Sequence, residues 1–311
     1  MDCFYFIPNM KSIFTLFWIF ISIISNVLAQ KEYNISFDGN NIHFKTFGSK
    51  GSPVLIINGG PGMNSNGFAN LAEIIGKEHC AIIYDQRGTG KSTMQTINNQ
   101  TITLDKMVED IEKIRVHLGY KSWNVLGHSF GGMLASYYAT KHSDKIDRMV
   151  LSSSGGVDLD LFANYDLNKP LTPTERDSLR YWDDKIAKGD TSKATRLQRA
   201  KVLASAYLVT DKYIDMLAER LTQANMTING LVFDNMQKIN FDCKEKLKTF
   251  KKPVLIIQGK NDVLNTYLSE KSHKILPKSK LILMDNCGHY GWLEQPQIYI
   301  TEVMAFLKSK G

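Results

Sequence analysis

The sequence predicts an α/β fold, in which a mostly parallel sheet of eight strands carries helices on both faces. Three observations support this prediction. Apolar runs and helical patterns alternate regularly from Pro53 to Leu151, which is typical of a parallel sheet covered on both sides. Helical patterns alone fill residues 158–250, where we expect an inserted lid. The alternation resumes at Val254 and ends in a helix.

The composition is that of a globular protein with a real core. The chain has 311 residues, of which 43% are hydrophobic and 22% charged, enough for one large α/β domain or two smaller ones. The formal net charge is +7, but the basic residues are scattered. The one dense stretch, Lys244–Lys252, contains one aromatic residue, Phe250, and not the series of interleaved aromatic residues that stack on successive bases. We therefore expect a solvated face there and no nucleic-acid partner.

Residues 1–29 resemble a signal peptide. Lys11 supplies a positive charge, Ile13–Ile24 is almost entirely apolar, and Val27–Ala29 offers modest side chains for a signal peptidase. The apolar run is shorter than the ~20 residues that span a bilayer. We expect cleavage and a secreted or periplasmic protein. The alternative is an uncleaved anchor formed by residues 4–28, which would be the chain's only contact with a membrane.

Cysteine is sparse in the predicted mature chain. Only Cys80, Cys243 and Cys287 remain after cleavage, and an odd, small set is not a disulfide framework. We expect three buried thiols, with one disulfide as the alternative. No Cys-x-x-Cys or His-x-x-x-His spacing is present, so the sequence predicts neither a metal site nor a cofactor.

The predicted sheet begins with a hairpin and a buried strand. Tyr33–Phe37 and Ile42–Phe47 alternate apolar with polar residues around a turn at Asp38–Asn41, which indicates an antiparallel edge. Pro53–Ile57 is entirely apolar and stops at the loop Asn58–Gly62. Three glycines around one proline make a tight loop whose amides can face a ligand. A plain turn at the end of a strand is the alternative.

A second loop, Asp85–Ser92, ends in Gly90-Lys91-Ser92 and so resembles part of a nucleotide-binding loop. That motif requires a glycine five residues before Gly90, where this chain has Asp85. We therefore exclude phosphate binding and interpret the loop as a structural turn.

The pattern Gly-x-Ser-x-Gly lies between a strand and a helix. Trp123–Leu126 is a short apolar run, Met133–His142 has a helical pattern, and Ser129 lies between Gly127 and Gly131. A sharp strand-to-helix turn of this kind raises the serine hydroxyl above the sheet, near the positive end of the helix. We expect Ser129 to be a nucleophile. The alternative is an ordinary serine in a glycine-rich turn.

The other predicted strands are short and mainly apolar, and the other predicted helices have apolar residues three or four apart. The strands are Cys80–Tyr84, Ile146–Leu151, Val254–Gln258 and Leu281–Met284, and the helices are Ala69–Lys77, Leu104–Leu118, Thr174–Lys188, Lys193–Val209, Asp211–Ala224, Leu268–Leu276 and Pro296–Lys308. The predicted parts are thus a first core part at 30–157, a helical lid at 158–250 and a second core part at 251–311.

Three residues at the ends of strands can form a catalytic set. Ligands of such sheets bind beyond the carboxyl ends of the strands, where Ser129, Asp262 and His289 all lie. The hydroxyl needs a base, which His289 can supply, and a carboxylate on the other ring nitrogen would fix the tautomer. Asp262 could instead cap the next helix. Asp285 is a rival acid, but it is too close in sequence to His289.

An oxyanion formed at Ser129 requires two hydrogen-bond donors. The backbone amide of Phe130 follows the nucleophile at the start of the helix, and the amide of Gly60 lies in the glycine-rich loop. Removing one such donor typically costs ~3 kcal/mol of transition-state stabilisation.

These motifs together resemble the α/β-hydrolase superfamily over residues 33–308. The resemblance rests on Asn58–Gly62, Asp85–Ser92, Gly127–Gly132, Asp262 and Gly288-His289. The Gly-Gly-Pro-Gly and Asp-Gln-Arg-Gly pair is similar to its prolyl iminopeptidase branch. The resemblance implies a Ser129–His289–Asp262 triad, no metal, and release of N-terminal proline from small peptides.

An aminopeptidase must also bind a protonated amine. Acidic candidates in the predicted lid include Glu219, and Glu294 follows the histidine. The branch often has Gly and Trp beside the nucleophile, where this chain has His128 and Phe130. An esterase or lactonase with the same acyl chemistry therefore stays open, as does a catalytically inactive binding module.

Overall fold

A computed structural model describes residues 30–309, and the predicted signal peptide or anchor lies outside them. The eight strands are β1 (Lys31–Phe37), β2 (Asn40–Phe47), β3 (Pro53–Ile57), β4 (Cys80–Tyr84), β5 (Trp123–His128), β6 (Ile146–Ser152), β7 (Val254–Gly259) and β8 (Ser279–Met284). The α-helices of this described part are α1 (Ala69–Gly76), α2 (Leu104–His117), α3 (Phe130–Lys141), α4 (Leu161–Asn164), α5 (Pro173–Ala187), α6 (Lys193–Tyr207), α7 (Ile214–Leu221), α8 (Met226–Lys238), α9 (Lys244–Leu247), α10 (Tyr267–Ile275), α11 (Gly291–Glu294) and α12 (Pro296–Lys308).

All eight strands form one sheet in the order β1-β2-β4-β3-β5-β6-β7-β8. The pairs β1–β2 and β2–β4 are antiparallel, and every other pair is parallel. Asp38 and Gly39 both have positive φ at the first hairpin, which matches the right-handed twist of the strands. The predicted mostly parallel sheet is confirmed, and the carboxyl ends of β3, β5, β7 and β8 share one edge.

The core lies on both faces of the sheet because successive strand residues point to opposite sides. In β3, Leu55 and Ile57 pack with the helices α2 and α3, whereas Val54 and Ile56 pack with α1 and α12. The middle residues of each strand of the parallel part are therefore apolar on both faces. The helices on both faces confirm the predicted fold class.

Helices α4 to α9 lie between β6 and β7, within the segment at 158–250 that we call the inserted segment. The single helix predicted for Asp211–Ala224 is instead a 3₁₀ turn at Asp211–Tyr213 followed by α7. The Thr210 hydroxyl caps this turn by accepting the Lys212 amide. Whether the inserted segment acts as a lid stays a prediction.

Cys80, Cys243 and Cys287 are buried free thiols, as predicted. Within residues 30–309, no helix has the length and apolar character needed to cross a bilayer.

Two glycines within helices offer a matched test of how tightly the turn after β5 is packed. A β-carbon on Gly131 would overlap the Ile57 carbonyl, whereas one on Gly230 in α8 would meet no atom within 4 Å. We expect Gly131→Ala to lower the free energy of unfolding by about 1–3 kcal/mol through overpacking. Gly230→Ala should be neutral or raise it by up to about 1 kcal/mol. Urea unfolding of both variants measures the difference, and equal values would show that the turn has spare room.

Candidate active site

Ser129 occupies a strained turn between β5 and α3. Its φ of 56° and ψ of −123° lie outside the regions that non-glycine residues normally adopt. The backbone is held there because the Ser129 amide donates to the Ser152 carbonyl, 3.0 Å away, while the Ser129 carbonyl accepts from Gly132 and Gly155. The predicted sharp turn is therefore present, and it leaves the serine side chain half-buried.

Asp262 and His289 are joined directly. The His289 Nδ1 and the Asp262 Oδ1 lie 2.8 Å apart, and their side chains are 3% and 0% exposed. Asp262 also accepts the Leu264 amide at 3.0 Å, so it begins the turn that leads towards α10. Because one carboxylate oxygen is shared by the ring and an amide, the imidazole is fixed in orientation. Asp285, the rival acid, instead pairs with Lys260 in solvent.

The end of β7 lies very close to the loop that follows β8, next to this pair. A β-carbon on Gly259 would overlap the carbonyl oxygens of Cys287 and Gly288, and the Asn261 amide donates to Cys287. This close approach brings Asp262 and His289 within hydrogen-bond distance of each other. The glycine after a buried strand was visible in the sequence, but its closeness to the histidine loop was not.

The ring of His128, the residue before Ser129, contacts the ring of His289. The rings of His128 and His289 have centroids 4.6 Å apart, and His128 precedes the serine in the chain. The structure records no hydrogen bond between Ser129 and His289 within residues 30–309. Catalytic hydrogen bonds are often long before substrate binds. The residue before the predicted nucleophile thus packs against the ring of the buried Asp262–His289 pair.

His128 is buried, and its Nδ1 lies 3.2 Å from the Ser152 hydroxyl. Burial, with the nearby charges of His289 and Arg220, holds the pKa of His128 well below its ordinary value of 6.5. His128 is therefore neutral near pH 7. A neutral neighbour does not oppose the positive charge that His289 would gain as a base.

The two predicted oxyanion donors both have free amides. Within the described part of the chain, neither Gly60 nor Phe130 donates a backbone hydrogen bond. Phe130 is the first residue of α3, where the partial positive charge of the helix is concentrated. Gly60 has a φ of +67°, a conformation that glycine adopts without strain. Free amides beside Ser129 are what an oxyanion site requires.

Several residues beside the site carried no signal in the sequence. Arg220 of α7 donates to the Gly59 carbonyl at 3.2 Å and to the Tyr290 hydroxyl at 2.8 Å. The Tyr207 ring lies 5.3 Å from that of His289, and its hydroxyl is 2.7 Å from that of Tyr165. Helical periodicity marked these side chains only as surface or core. Nothing in the spacing showed that the inserted segment directs them towards His289.

The acids predicted for amine binding are engaged elsewhere or exposed. Glu294 accepts hydrogen bonds from the amides of Val209, Thr210 and Gly288, and burial raises the pKa of its carboxyl group. It therefore joins the end of α6 to the histidine loop. Glu219 is exposed on α7. Glu294 thus lies close to the Asp262–His289 pair, but its oxygens accept from backbone amides, and amine binding by either carboxylate stays a prediction.

The loop at Asp85–Ser92 has a structural task, as predicted. The Asp85 carboxylate accepts from the backbone amides of Ser65 and Lys91, and the Gln86 side chain donates to the Asn58 carbonyl at 2.9 Å. These bonds fix the start of the glycine-rich loop. Within residues 30–309, no cluster of three His, Cys, Asp or Glu side chains could hold a metal ion.

Known proteins are similar to this chain in sequence and in fold. A family model for the alpha/beta hydrolase fold matches residues 52–296. Proline iminopeptidase from Heyndrickxia coagulans is 26% identical over 298 residues, which cover 88% of this chain and 98% of that protein. Two solved structures illustrate the shared fold. Proline iminopeptidase from Mycobacterium smegmatis has a TM-score of 0.68 at 22% identity, covering 89% of this chain and 97% of its own. An esterase from Exiguobacterium antarcticum has a TM-score of 0.67 at 20% identity, covering 88% and 98%.

The depressed pKa of His128 predicts a pH-dependent stability. Below about pH 6.5, His128 becomes protonated in the unfolded chain but stays neutral in the folded protein. The free energy of unfolding therefore falls as the pH falls, by up to ~1.4 kcal/mol per pH unit. His128→Phe removes this titration, and its stability should fall less steeply between pH 6.5 and 5. The pKa of His79 is also lowered by burial, but His79 is present in the unaltered protein and in His128→Phe, so its contribution cancels in the difference between their stabilities. Parallel curves from urea unfolding would contradict the assignment.

Proposed function

We propose that this chain, a hydrolase that belongs to the α/β hydrolase fold family, uses Ser129 as a nucleophile and releases N-terminal proline from peptides. The observation that carries the proposal is the buried 2.8 Å contact between Asp262 and His289, beside a serine held in a strained turn. This arrangement supplies a base, its orienting acid and a nucleophile at one edge of the sheet.

In the proposed reaction, the Ser129 hydroxyl attacks the carbonyl carbon of the first residue while the His289 Nε2 accepts its proton. Asp262 keeps the other ring nitrogen protonated and stabilises the imidazolium. The negative charge on the carbonyl oxygen is stabilised by the amides of Gly60 and Phe130.

His289 then donates its proton to the departing amine, and the peptide bond breaks to leave proline esterified to Ser129. Water enters, gives a proton to His289 and attacks the ester carbonyl. The second tetrahedral intermediate collapses as the proton returns to the Ser129 oxygen, and free proline departs. The chain's own residues thus complete the cycle, and atoms and charges balance.

Two observations support proline as the residue released. The Gly-Gly-Pro-Gly and Asp-Gln-Arg-Gly motifs both adjoin the site, and the Gln86 side chain connects them by its hydrogen bond to Asn58. The relative from Heyndrickxia coagulans, which matches along nearly its whole length, is named a proline iminopeptidase.

Ester hydrolysis is the second candidate function. An ester lacks the protonated amine that a peptide N-terminus carries, so it needs no carboxylate partner. Glu294 bonds to backbone amides and Glu219 is exposed. The charged group held close to the glycine-rich loop is the cationic Arg220, which favours a neutral or anionic substrate.

A side-by-side assay separates the two candidates. The purified chain should release arylamine from a proline arylamide, and Ser129→Ala should remain folded and lose this activity because no nucleophile is left. Turnover rates on the arylamide and on a short-chain aryl ester provide the measurement. Rapid ester turnover without arylamide cleavage would reject the aminopeptidase. Undiminished turnover by Ser129→Ala would reject both candidates.

A further inference from the structure

Arg220 reaches from α7 into the base of the candidate active site. The residue is 9% exposed, and its guanidinium group lies between the rings of Phe68 and Tyr290, 5.0 and 5.9 Å from their centroids. One terminal nitrogen donates to the Tyr290 hydroxyl and the other to the Gly59 carbonyl. The charged end of the side chain is thus held by three residues, Phe68, Tyr290 and Gly59.

The environment of this cation is unusual. Its hydrogen-bond acceptors are a phenol and a carbonyl rather than a carboxylate. A buried charge without an opposite charge is costly. The backbone also makes space for it, because a β-carbon on Gly67 would overlap the Arg220 side chain. A slot with these features indicates that the guanidinium has a task at the site.

The task follows from the geometry of a trans peptide. The carbonyl of Gly59 and the amide of Gly60 belong to one planar unit and point in opposite directions. Arg220 and the Asn58 side chain both donate to the Gly59 oxygen, at 3.2 and 3.1 Å. Fixing the oxygen on that side turns the Gly60 N–H to the other side, where it has no partner in the described part of the chain.

The rest of the glycine-rich loop is also held by the inserted segment. The Asn229 side chain donates to the Pro61 carbonyl at 3.0 Å, and the Asn225 amide donates to the Gly62 carbonyl at 2.8 Å. These bonds fix the backbone after Gly60. Of the two side chains that donate to the Gly59 oxygen within residues 30–309, Arg220 is the charged one.

We propose that Arg220 is a positioning residue that aims and polarises the Gly60 N–H as an oxyanion donor. The proposal rests on the function above, in which attack by Ser129 places a negative charge on the carbonyl oxygen of the substrate. A hydrogen bond from a cation to the Gly59 oxygen draws electron density through the amide, so the Gly60 N–H becomes a stronger donor. The inserted segment thereby contributes to acyl transfer without touching the substrate.

Three variants test the proposal with a short-chain aryl ester as substrate. Arg220→Ala should lower kcat by ~10–100-fold with little change in KM, less than the 10²–10³ lost when an oxyanion donor is removed outright. Added guanidinium chloride at low millimolar concentration should restore part of kcat by filling the vacated slot. Arg220→Lys keeps the charge but has a single donor group, so its kcat should be intermediate.

Arg180→Ala is the matched control, because Arg180 is exposed on α5 and pairs only with Asp177. It should retain normal kcat and should not respond to guanidinium. Near-ultraviolet circular dichroism establishes that each variant is folded. If Arg220→Ala does not fold, the kcat of Arg220→Lys decides. A normal kcat, a change confined to KM, or a loss that neither guanidinium nor lysine reduces would overturn the proposal.

Labelling of the unaltered chain by a fluorophosphonate separates this proposal from the function beneath it. If Ser129 of the unaltered chain is not labelled, the proposed nucleophile is wrong, and with it the role of Arg220. If Ser129 is labelled and Arg220→Ala is labelled at the same rate, the nucleophile stands and only the positioning role fails. Slower labelling of folded Arg220→Ala, restored by guanidinium, supports both.

Discussion

The candidate active site depends on one hydrogen bond, between the Asp262 carboxylate and the His289 ring at 2.8 Å. It is almost fully excluded from water, where electrostatic interactions are stronger than in solvent. The bond exists because β7 and β8 are parallel neighbours, which brings the loops after them to the same edge. The parallel sheet is therefore the physical reason why residues distant in sequence can act together.

Much of the fold was predictable because it depends on short-range patterns. Every strand from Pro53 to Met284 has a run of apolar residues at its middle, since both faces of these strands are buried or half-buried there. The sharp turn at Ser129 could also be predicted from the sequence, because a β-carbon at Gly127 or Gly131 would overlap nearby backbone. The break of the third predicted lid helix at Asp211–Tyr213 was hidden, since a 3₁₀ turn and an α-helix have similar periodicity.

The candidate site was only partly predictable. Ser129, Asp262 and His289 follow strands, so the sheet determines where they lie. Arg220 belongs to a helix of the inserted segment, and no strand register places it. Its function as a positioning residue depends on tertiary contacts with Gly59 and Tyr290. The same reasoning explains Glu294, whose partners on the loop after α6 could not be read from the sequence.

The most direct test compares two aspartates near the same histidine. Asp262 is bonded to His289, whereas Asp285 pairs with Lys260 and is exposed. We expect Asp262→Asn to lower kcat by ~10⁴-fold, because an asparagine favours the wrong tautomer of the ring. Asp285→Asn should retain nearly normal kcat. Full activity in Asp262→Asn, or a comparable loss in Asp285→Asn, would contradict the account.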